Sequence, residues 1–496
     1  MRTSNKILCV VPVFILSVLG LAGSASGFPG QDIGFDPDGV YSAEELKQDF
    51  ALLRTALEEG HAGLYYYSSK EEMDRYFDSV AEKIGRPMTE QEFHRHVAWL
   101  IARINDGHTG VRSSAAYGRY LSNQAYLLPF NLRFVRGSAY LFRNYSDDPD
   151  IKVGEAVLAI NDRQMAEILE DMFEHIPSDG RIETSKYRRL ERTEYFGTLY
   201  ALLYGVSRSF TITLADPGEG TCRTLTVEGV RPRSINRIAG ERYPGTMKSL
   251  PPMEVEYRGD TAVLTIRTFG DSPYRSLGKS YPSLLAEIFR ELESKAIKNL
   301  LVDLRENGGG ADMNGKLLVS RLLAEPYMFY THLEVMRDRF SFLEYIDAPD
   351  LESNLKKMLR KNDKGTFDLM FHPNLGEQKP IQPTFQGKVM VIISGRSFSG
   401  SGECTSILHF HKRAKFVGEE CGAGYYGNTS GFMPELTLPN TGLRIRLALL
   451  RYHMAVSGYE PRDRGIIPDY PFTRTIQDLL AGRDMELEYA LELIRK

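Results

Sequence analysis

Apolar positions in the first part of the chain recur at intervals of three and four, which is the spacing of one helix face. One such run follows a Ser-x-x-Glu capping box at Ser42, and another follows a Thr-x-x-Glu box at Thr89. The pattern predicts a helical N-terminal region over residues 27–115, with a helix that stops at Gly107.

Residues 116–235 change to short stretches with strand-like patterning. We expect Leu132–Val135 to pair with Tyr140–Arg143, and Phe210–Leu214 to pair with Arg223–Val227. A charged, tyrosine-rich piece between the two hairpins is expected to be helical in part. The middle of the chain is therefore predicted to be a β domain with a helical insertion.

From residue 236 to residue 496, apolar strands alternate with amphipathic helices. This alternation predicts a βαβ core with a largely parallel sheet. Residues 327–383 break the alternation with charged and aromatic positions, and we expect them to form an insertion at the sheet edge or a lid. The predicted fold class is mixed α/β and multidomain.

One stretch of this last region is a candidate for a catalytic site. Val389–Ile393 is a continuous apolar run, Ser394–Gly402 is rich in Ser and Gly, and helical spacing follows. A strand, a tight turn and a helix in this order lift a hydroxyl clear of a sheet edge and aim a helix N-terminus at it. Taken alone, the stretch fits an ordinary turn equally well, because Ser and Gly are common turn residues.

Composition narrows the function classes. At 42% apolar and 25% charged residues, the chain has the composition of a folded protein. Its formal net charge of −4 argues against a nucleic-acid partner, since phosphate binding needs a basic surface. Cys and His show no cluster with metal-ligand spacing, so we expect no metal and no cofactor.

The first 26 residues have the pattern of a secretory signal peptide. Arg2 and Lys6 precede the apolar run Ile7–Leu21, and small residues follow. The run is short for a membrane span, so we expect a secreted or periplasmic protein with no stable membrane insertion after cleavage. An uncleaved anchor is the alternative. Three cysteines remain after cleavage, which allow at most one disulfide.

Four motifs in the C-terminal half occur in an order that resembles the tail-specific, or C-terminal-processing, serine peptidase family. They are VDLRENGGG (Val302–Gly310), GRSFSGSGE (Gly395–Glu403), VGEECGAG (Val417–Gly424) and RGIIPD (Arg464–Asp469). The resemblance implies a PDZ-like domain over residues 116–235, where Gly154–Asn161 is similar to the PDZ turn and strand. It also implies a crotonase-like ββα peptidase core over residues 236–496.

The resemblance also identifies a nucleophile. In the family the serine follows a Thr/Ser-aromatic pair, as Ser399 does in Ser-Phe-Ser. Family members usually place a Glu three residues after the nucleophile, whereas Glu403 is four residues after Ser399. Ser401 is therefore the alternative nucleophile, although the family-like distance to Gly418 favours Ser399.

A serine hydroxyl needs a base to take its proton. The C-terminal-processing branch uses a lysine after the Val-Gly-Glu strand, but residues 421–428 contain no Lys. His108 lies in an Asp-Gly-His-Thr setting similar to the histidine loop of tricorn-like members, which implies that His108 is the base. His409 and His411, which follow the nucleophile on the same helix, are alternatives.

The remaining site residues are also implied by the resemblance. Tricorn-like members orient the histidine with a Glu shortly before the terminal Gly-Val/Ile-x-Pro-Asp, and the matching position here is Arg462. Glu460 is the nearby candidate and Asp463 its alternative. The oxyanion donors implied are the backbone N–H groups of Gly309 and Gly400.

The function expected on these grounds is a serine endopeptidase that cleaves peptides or partly unfolded proteins through an acyl-enzyme. A PDZ-like domain would bind a substrate C-terminus as an added strand. Two alternatives stay open. One is a non-catalytic binding protein for an apolar ligand or peptide, similar to photoreceptor retinoid-binding repeats, and the other is an esterase with the same residues. The sequence does not indicate an oligomeric state.

Overall fold

The computed structural model describes residues 35–216, 218, 220–246 and 250–496. The predicted signal peptide, residues 1–26, lies outside the described residues. Within them, no helix combines the length and apolar character needed to cross a membrane.

The N-terminal part is mainly helical, as predicted. Its elements are β1 (Val40–Tyr41), α1 (Ala43–Gly60), α2 (Lys70–Lys83), β2 (Met88–Thr89), α3 (Glu90–Arg103), β3 (Gly110–Arg112) and α4 (Ala115–Gln124). The capping boxes at Ser42 and Thr89 are confirmed. The helix stop predicted at Gly107 is wrong, because Asn105 ends α3 with a φ of 57°. Asparagine adopts this left-handed conformation more readily than most residues.

The middle part is an antiparallel sheet covered by helices. Its elements are β4 (Phe130–Val135), β5 (Ser138–Asn144), β6 (Ala156–Ile160), β7 (Arg163–Gln164), α5 (Met165–Phe173), α6 (Glu183–Leu190), α7 (Thr193–Tyr204), β8 (Ser209–Ala215), β9 (Cys222–Glu228) and α8 (Pro232–Arg242). The strand order is β4-β5-β6-β8-β9, with β7 beside β6. Both predicted hairpins form. The assignment of this part as a PDZ-like domain stays a prediction.

The C-terminal part begins with alternating strands and helices. Its first elements are β10 (Met253–Arg258), β11 (Thr261–Ile266), α9 (Ser272–Arg275), α10 (Tyr281–Ser294), β12 (Asn299–Asp303), α11 (Asp312–Leu322), β13 (Tyr327–Met328), β14 (Tyr330–Val335), α12 (Leu351–Leu355), β15 (Leu359–Lys361), β16 (Phe367–Leu369) and β17 (Glu377–Gln378). The remaining elements are β18 (Lys388–Ile393), α13 (Gly400–Phe410), β19 (Lys415–Gly418), β20 (Thr429–Ser430), β21 (Glu435–Thr437), β22 (Arg444–Arg446), β23 (Leu450–Met454), β24 (Tyr470–Pro471), α14 (Ile476–Leu480) and α15 (Met485–Arg495).

A six-stranded sheet in the order β10-β11-β12-β18-β19-β24 forms the centre of this part. Only its edge strand β10 is antiparallel to its neighbour, and the other pairs are parallel. Successive strand residues pack on opposite faces. Leu300 belongs to the large core that includes α10, α11 and α13, whereas Leu301 packs with α15 on the other face. The predicted mixed α/β, multidomain fold class is confirmed.

The segment 327–383 forms part of a second sheet. Its strands join the order β15-β16-β14-β23-β20, so that β14 pairs directly with β23 from the C-terminal part. The segment is thereby attached to the core along a full strand.

The three cysteines of the described residues are free. Cys404 and Cys421 are buried and Cys222 is exposed. Packing therefore holds this part of the fold together without a disulfide.

Asp49 of α1 joins the N-terminal helices to the C-terminal part. Its buried carboxylate accepts hydrogen bonds of 3.0 Å from Asn440 N and of 2.8 Å from Thr441 N, and further bonds from both side chains. Asn440 and Thr441 lie in the turn between β21 and β22, and β22 pairs with β3. The loop that carries His108 immediately precedes β3, so these contacts fix that loop on the C-terminal part.

We expect Asp49→Ala to lower the free energy of unfolding by about 2–4 kcal/mol, because buried donors of Asn440 and Thr441 lose a charged acceptor. Urea unfolding followed by circular dichroism measures the change. Lys47→Ala, at an exposed position of the same helix, is the control and should stay within about 0.5 kcal/mol of the unmodified protein. Equal midpoints for the two variants would contradict the role given to Asp49.

Candidate active site

Ser399 occupies a strained turn between a buried strand and a helix. It follows β18, precedes α13 and has φ 57° and ψ −130°. A non-glycine residue in such a conformation costs about 1–3 kcal/mol and persists only where the surroundings enforce it. The turn lies at the carboxyl end of a parallel strand, where ligands bind in open α/β sheets. A sharp strand-to-helix turn of this kind presents a nucleophile at the sheet edge.

Exposure distinguishes the two candidate serines. Ser399 is half-buried, and its Oγ makes no hydrogen bond with the described residues. Ser401 is 0% exposed, and its Oγ is buried without a partner in the described part of the chain. A substrate has access to the hydroxyl of Ser399 and is excluded from that of Ser401, which favours Ser399.

The glycine turn after β12 lies directly against Ser399. A Cβ atom at Gly309 would be 2.7 Å from the Cβ of Ser399 and 3.0 Å from Gly400 N, so only glycine allows this approach. The Gly400 N–H has no partner among the described residues. The Gly309 N–H donates to Asn307 Oδ1 at 2.9 Å. Of the two predicted oxyanion donors, Gly400 is therefore available and Gly309 is engaged.

His108 belongs to the N-terminal part of the chain and lies next to the turn that carries Ser399. The Asp106 carboxylate holds its loop by accepting the N–H groups of His108 and Thr109, both at 2.8 Å. The imidazole stacks on the ring of Phe398 with a centroid separation of 4.5 Å. Because Phe398 directly precedes Ser399, the structure brings the predicted base to the turn of the predicted nucleophile.

The environment of His108 keeps its imidazole neutral. Burial, together with the nearby guanidinium groups of Arg446 and Arg189, lowers the pKa of His108 to about 4. The Asp106 carboxylate opposes this shift. A neutral ring at pH 7 has a lone pair that accepts a proton, as a general base must.

Asp179 is a residue of this site that the sequence did not indicate. Its buried carboxylate accepts the N–H of Gly107 at 2.8 Å and the N–H of Gly424 at 3.0 Å, which joins the histidine loop to the loop after β19. Burial, together with the charge of Asp106, raises the pKa of Asp179 to about 7. In the sequence Asp179 is a polar residue in a Ser-Asp-Gly turn, and only its burial in the folded protein indicates that it belongs to the site.

Neither candidate for the third catalytic residue contacts the His108 ring. Glu460 lies in an exposed loop, with its side chain 75% exposed and its carboxylate 4.0 Å from Arg462. The Asp463 carboxylate pairs with Arg181. The Nδ1 atom of His108 is buried and has no partner among the described residues. The structure does not bring the predicted acid to the ring, because the loop that carries Glu460 faces solvent.

The alternative bases lie away from Ser399. His409 is at the far end of α13, about 15 Å along the helix axis from Ser399. Its Nδ1 is 3.1 Å from the hydroxyl of Tyr425. His411 lies beyond the end of the same helix. His108 is thus the one predicted base that reaches the serine turn.

Two glutamates of the sequence motifs have structural partners. Glu420 forms a two-pronged ion pair with Arg464, with distances of 2.7 and 2.6 Å, which connects the third motif to the fourth. Glu403 is buried and accepts from the Tyr330 hydroxyl at 2.6 Å and from Asn428 Nδ2 at 2.7 Å. Burial raises the pKa of Glu403 to about 7. Both carboxylates connect neighbouring segments of the chain, which is a structural role.

A strained serine at a strand–turn–helix junction, with a glycine turn against it and a neutral histidine beside it, is the geometry of a serine hydrolase. Residues 260–472 of the chain match the model of peptidase family S41. This match supports serine peptidase activity. It agrees with the resemblance seen in the sequence over residues 260–472, while the tricorn-like branch stays a prediction.

Solved structures show the same fold over most of the chain. The crystal structure of mature CPAF has 18% identity and a TM-score of 0.61, and the match covers 91% of this chain and 96% of that chain. The structure of mature CPAF complexed with lactacystin has 17% identity and a TM-score of 0.60, with 91% and 97% covered. No curated protein matches the sequence.

The strain at Ser399 yields a stability prediction. Ser399→Gly should unfold with a free energy about 1–2 kcal/mol higher than Ser399→Ala, because glycine adopts the φ of 57° without steric cost. Urea unfolding of both variants measures the difference. Ser406 is the matched control, since it is buried within α13, where Gly should instead be less stable than Ala by about 1 kcal/mol. The same order at both positions would contradict the strain.

Proposed function

We propose that this protein is a serine endopeptidase of the tricorn-like, histidine-dependent kind, which cleaves peptides or partly unfolded proteins. The observation that carries the proposal is the conformation of Ser399, which is held in a left-handed turn with Gly309 against it and His108 stacked on the preceding residue. The peptidase S41 domain match over residues 260–472 supports the same class of reaction.

In the proposed reaction Ser399 Oγ attacks the carbonyl carbon of a peptide bond, and the His108 imidazole takes the hydroxyl proton. The Gly400 N–H, and the Gly309 N–H once it leaves Asn307, donate to the oxyanion. His108 then protonates the leaving amine, and water hydrolyses the acyl-enzyme by the same proton transfers in reverse. Glu460 and Asp463 do not contact His108, so the proposal rests on Ser399 and His108.

The setting of the reaction is part of the proposal. Residues 1–26 would direct the chain to the periplasm or outside the cell, where the mature enzyme would be free of the membrane. The β domain over residues 116–235 would bind the C-terminus of an unstructured chain as an added strand, in the manner of a PDZ domain. No cofactor takes part in the proposed steps.

The direct test combines an active-site probe with proteolysis. The purified protein should react with a fluorophosphonate probe and degrade a disordered test protein, and Ser399→Ala should abolish both. His108→Ala should lower kcat/KM for proteolysis by about 10⁴-fold or more, because the hydroxyl loses its base. Proteolysis that His108→Ala leaves unchanged would refute the proposed mechanism.

Further variants and substrates distinguish the alternative nucleophile, the alternative base and the alternative functions. Ser401→Ala should keep probe labelling, and loss of labelling in Ser401→Ala but not in Ser399→Ala would make Ser401 the nucleophile. His409→Ala should retain proteolysis. A folded protein that the probe does not label would support the non-catalytic binding protein. Turnover of small esters without cleavage of the disordered protein would support the esterase.

The pKa of His108 predicts the acid limb of the pH profile. A histidine pKa lowered to about 4 keeps the base neutral above that pH, so kcat/KM should persist from pH 7 to about 5 and fall near pH 4. Peptide hydrolysis measures the profile, with circular dichroism to show that the protein stays folded. Asp179, with a pKa raised to about 7, could produce a separate limb near pH 7, so Asp179→Asn is the control and should leave the limb near pH 4 in place. A limb near pH 6.5 in folded protein would contradict the assignment.

A further inference from the structure

Two histidines and a glutamate that are far apart in the sequence meet between β14 and β23. His332 pairs with His453 in the antiparallel register, next to a bulge that follows Tyr330. The two imidazole rings stack with a centroid separation of 3.9 Å and an interplanar angle of 10°. Glu334 lies two residues after His332 and therefore on the same face of the strand. The three side chains form a cluster, here called the His332–Glu334–His453 cluster.

The spacing of the ligand atoms in this cluster fits a small metal ion. One nitrogen of each imidazole and one oxygen of Glu334 lie within 4.8 Å of one another. His453 Nε2 and Glu334 Oε2 are 3.1 Å apart. In a tetrahedral zinc site with Zn–N and Zn–O distances near 2.1 Å, neighbouring ligand atoms lie about 3.4 Å apart. The ligand atoms are therefore close enough to share one ion, provided that the stacked rings rotate so that both nitrogen lone pairs point at it.

Hydrogen bonds from outside the cluster engage Nδ1 of His332 and Oε1 of Glu334, and the ion would replace the hydrogen bond between His453 Nε2 and Glu334 Oε2. The Thr331 hydroxyl donates its hydrogen to the backbone oxygen of His453, so it accepts at 3.0 Å from His332 Nδ1, and the lone pair of that ring stays on Nε2. The Thr366 hydroxyl donates to Glu334 Oε1 at 2.6 Å, which leaves Oε2 facing His453. Outer partners of this kind orient histidine and carboxylate ligands in metal sites.

The nearest cation on the paired strand does not neutralise Glu334. Arg451 is opposite Glu334 in the register, but its guanidinium lies over the ring of Tyr66 at 3.3 Å. Within the described residues, no Lys or Arg forms an ion pair with Glu334, whose partners are His453 and Thr366. The carboxylate is thus directed at the two imidazoles.

We infer that the His332–Glu334–His453 cluster is a zinc-binding site. Two imidazole nitrogens and one carboxylate oxygen are a ligand set that Zn²⁺ prefers, with water or another oxygen in the fourth position. The ion would link β14, the first long strand of segment 327–383, to β23 of the core. None of the three side chains contacts Ser399 or His108, so the role proposed for the ion is structural. The proposal departs from the sequence-based expectation of no metal, because two strands that are distant in the sequence contribute the histidines.

The test is Zn²⁺ binding to the full chain after treatment with a chelator. Competition with a chromophoric chelator should show one equivalent of tightly bound Zn²⁺, and Co²⁺ in its place should give the visible absorption bands of tetrahedral nitrogen and oxygen ligation. His332→Gln, Glu334→Gln and His453→Gln should each lower the affinity at least 100-fold. Thr331→Val should lower it about 10- to 100-fold, since it removes an outer partner while keeping all three ligands.

His372→Gln is the matched control, because His372 lies 3.1 Å from the Asp312 carboxylate and belongs to no group of three ligands among the described residues. This variant should bind Zn²⁺ like the unmodified protein. Zn²⁺ should raise the Tm of the unmodified protein and of His372→Gln, and not that of His453→Gln. If the unmodified protein binds no Zn²⁺ at micromolar concentration, or if His332→Gln and His453→Gln bind it equally well, the inference is overturned. Thr331→Val keeps the test decisive if a ligand variant does not fold.

Discussion

The junction between the N-terminal helices and the α/β core is the constraint on which the candidate site depends. His108 and Ser399 belong to different parts of the chain, so neither strand order nor helix packing within one part places them together. Three sets of contacts do so: the pairing of β3 with β22, the Asp49 contacts to the turn before β22, and the Asp179 carboxylate between Gly107 and Gly424. The large hydrophobic core, which includes residues of both parts, supports all three.

Packing against the hydrophobic core keeps Ser399 in its strained backbone conformation. A left-handed Ser399 is unfavourable by itself, and it persists because β18 and α13 are anchored in the core on both sides of the turn. Gly309 approaches Ser399 and the backbone of Gly400 more closely than a residue with a side chain could. The strand and the helix on either side thus fix the position of the Ser399 hydroxyl, and their packing in the core compensates for the backbone strain.

Two buried carboxyl groups near the site have a pKa close to 7. For Asp179 and Glu403, burial favours the protonated form in the folded protein, whereas both groups ionise near pH 4 when the chain is unfolded. The folded state then binds more protons between these values, so the contribution of these groups to stability is present below about pH 4 and is lost as the pH rises through 7. Hydrogen bonds from Gly107, Gly424 and Asn428 oppose this loss by stabilising the ionised forms.

The sequence by itself determined the local elements, including the strand before Ser399 and the helix after it. Capping boxes, buried strands and hairpin turns are set by neighbouring residues, so the helices that begin after Ser42 and Thr89 and the strand before Ser399 were predictable. Only the tertiary structure decided which distant groups meet. Asp179 is buried between two loops, and Glu460 is exposed to solvent. His332 lies opposite His453 because β14 pairs with β23. These outcomes depend on strand register and on removal from water, and neither has a local signal in the sequence.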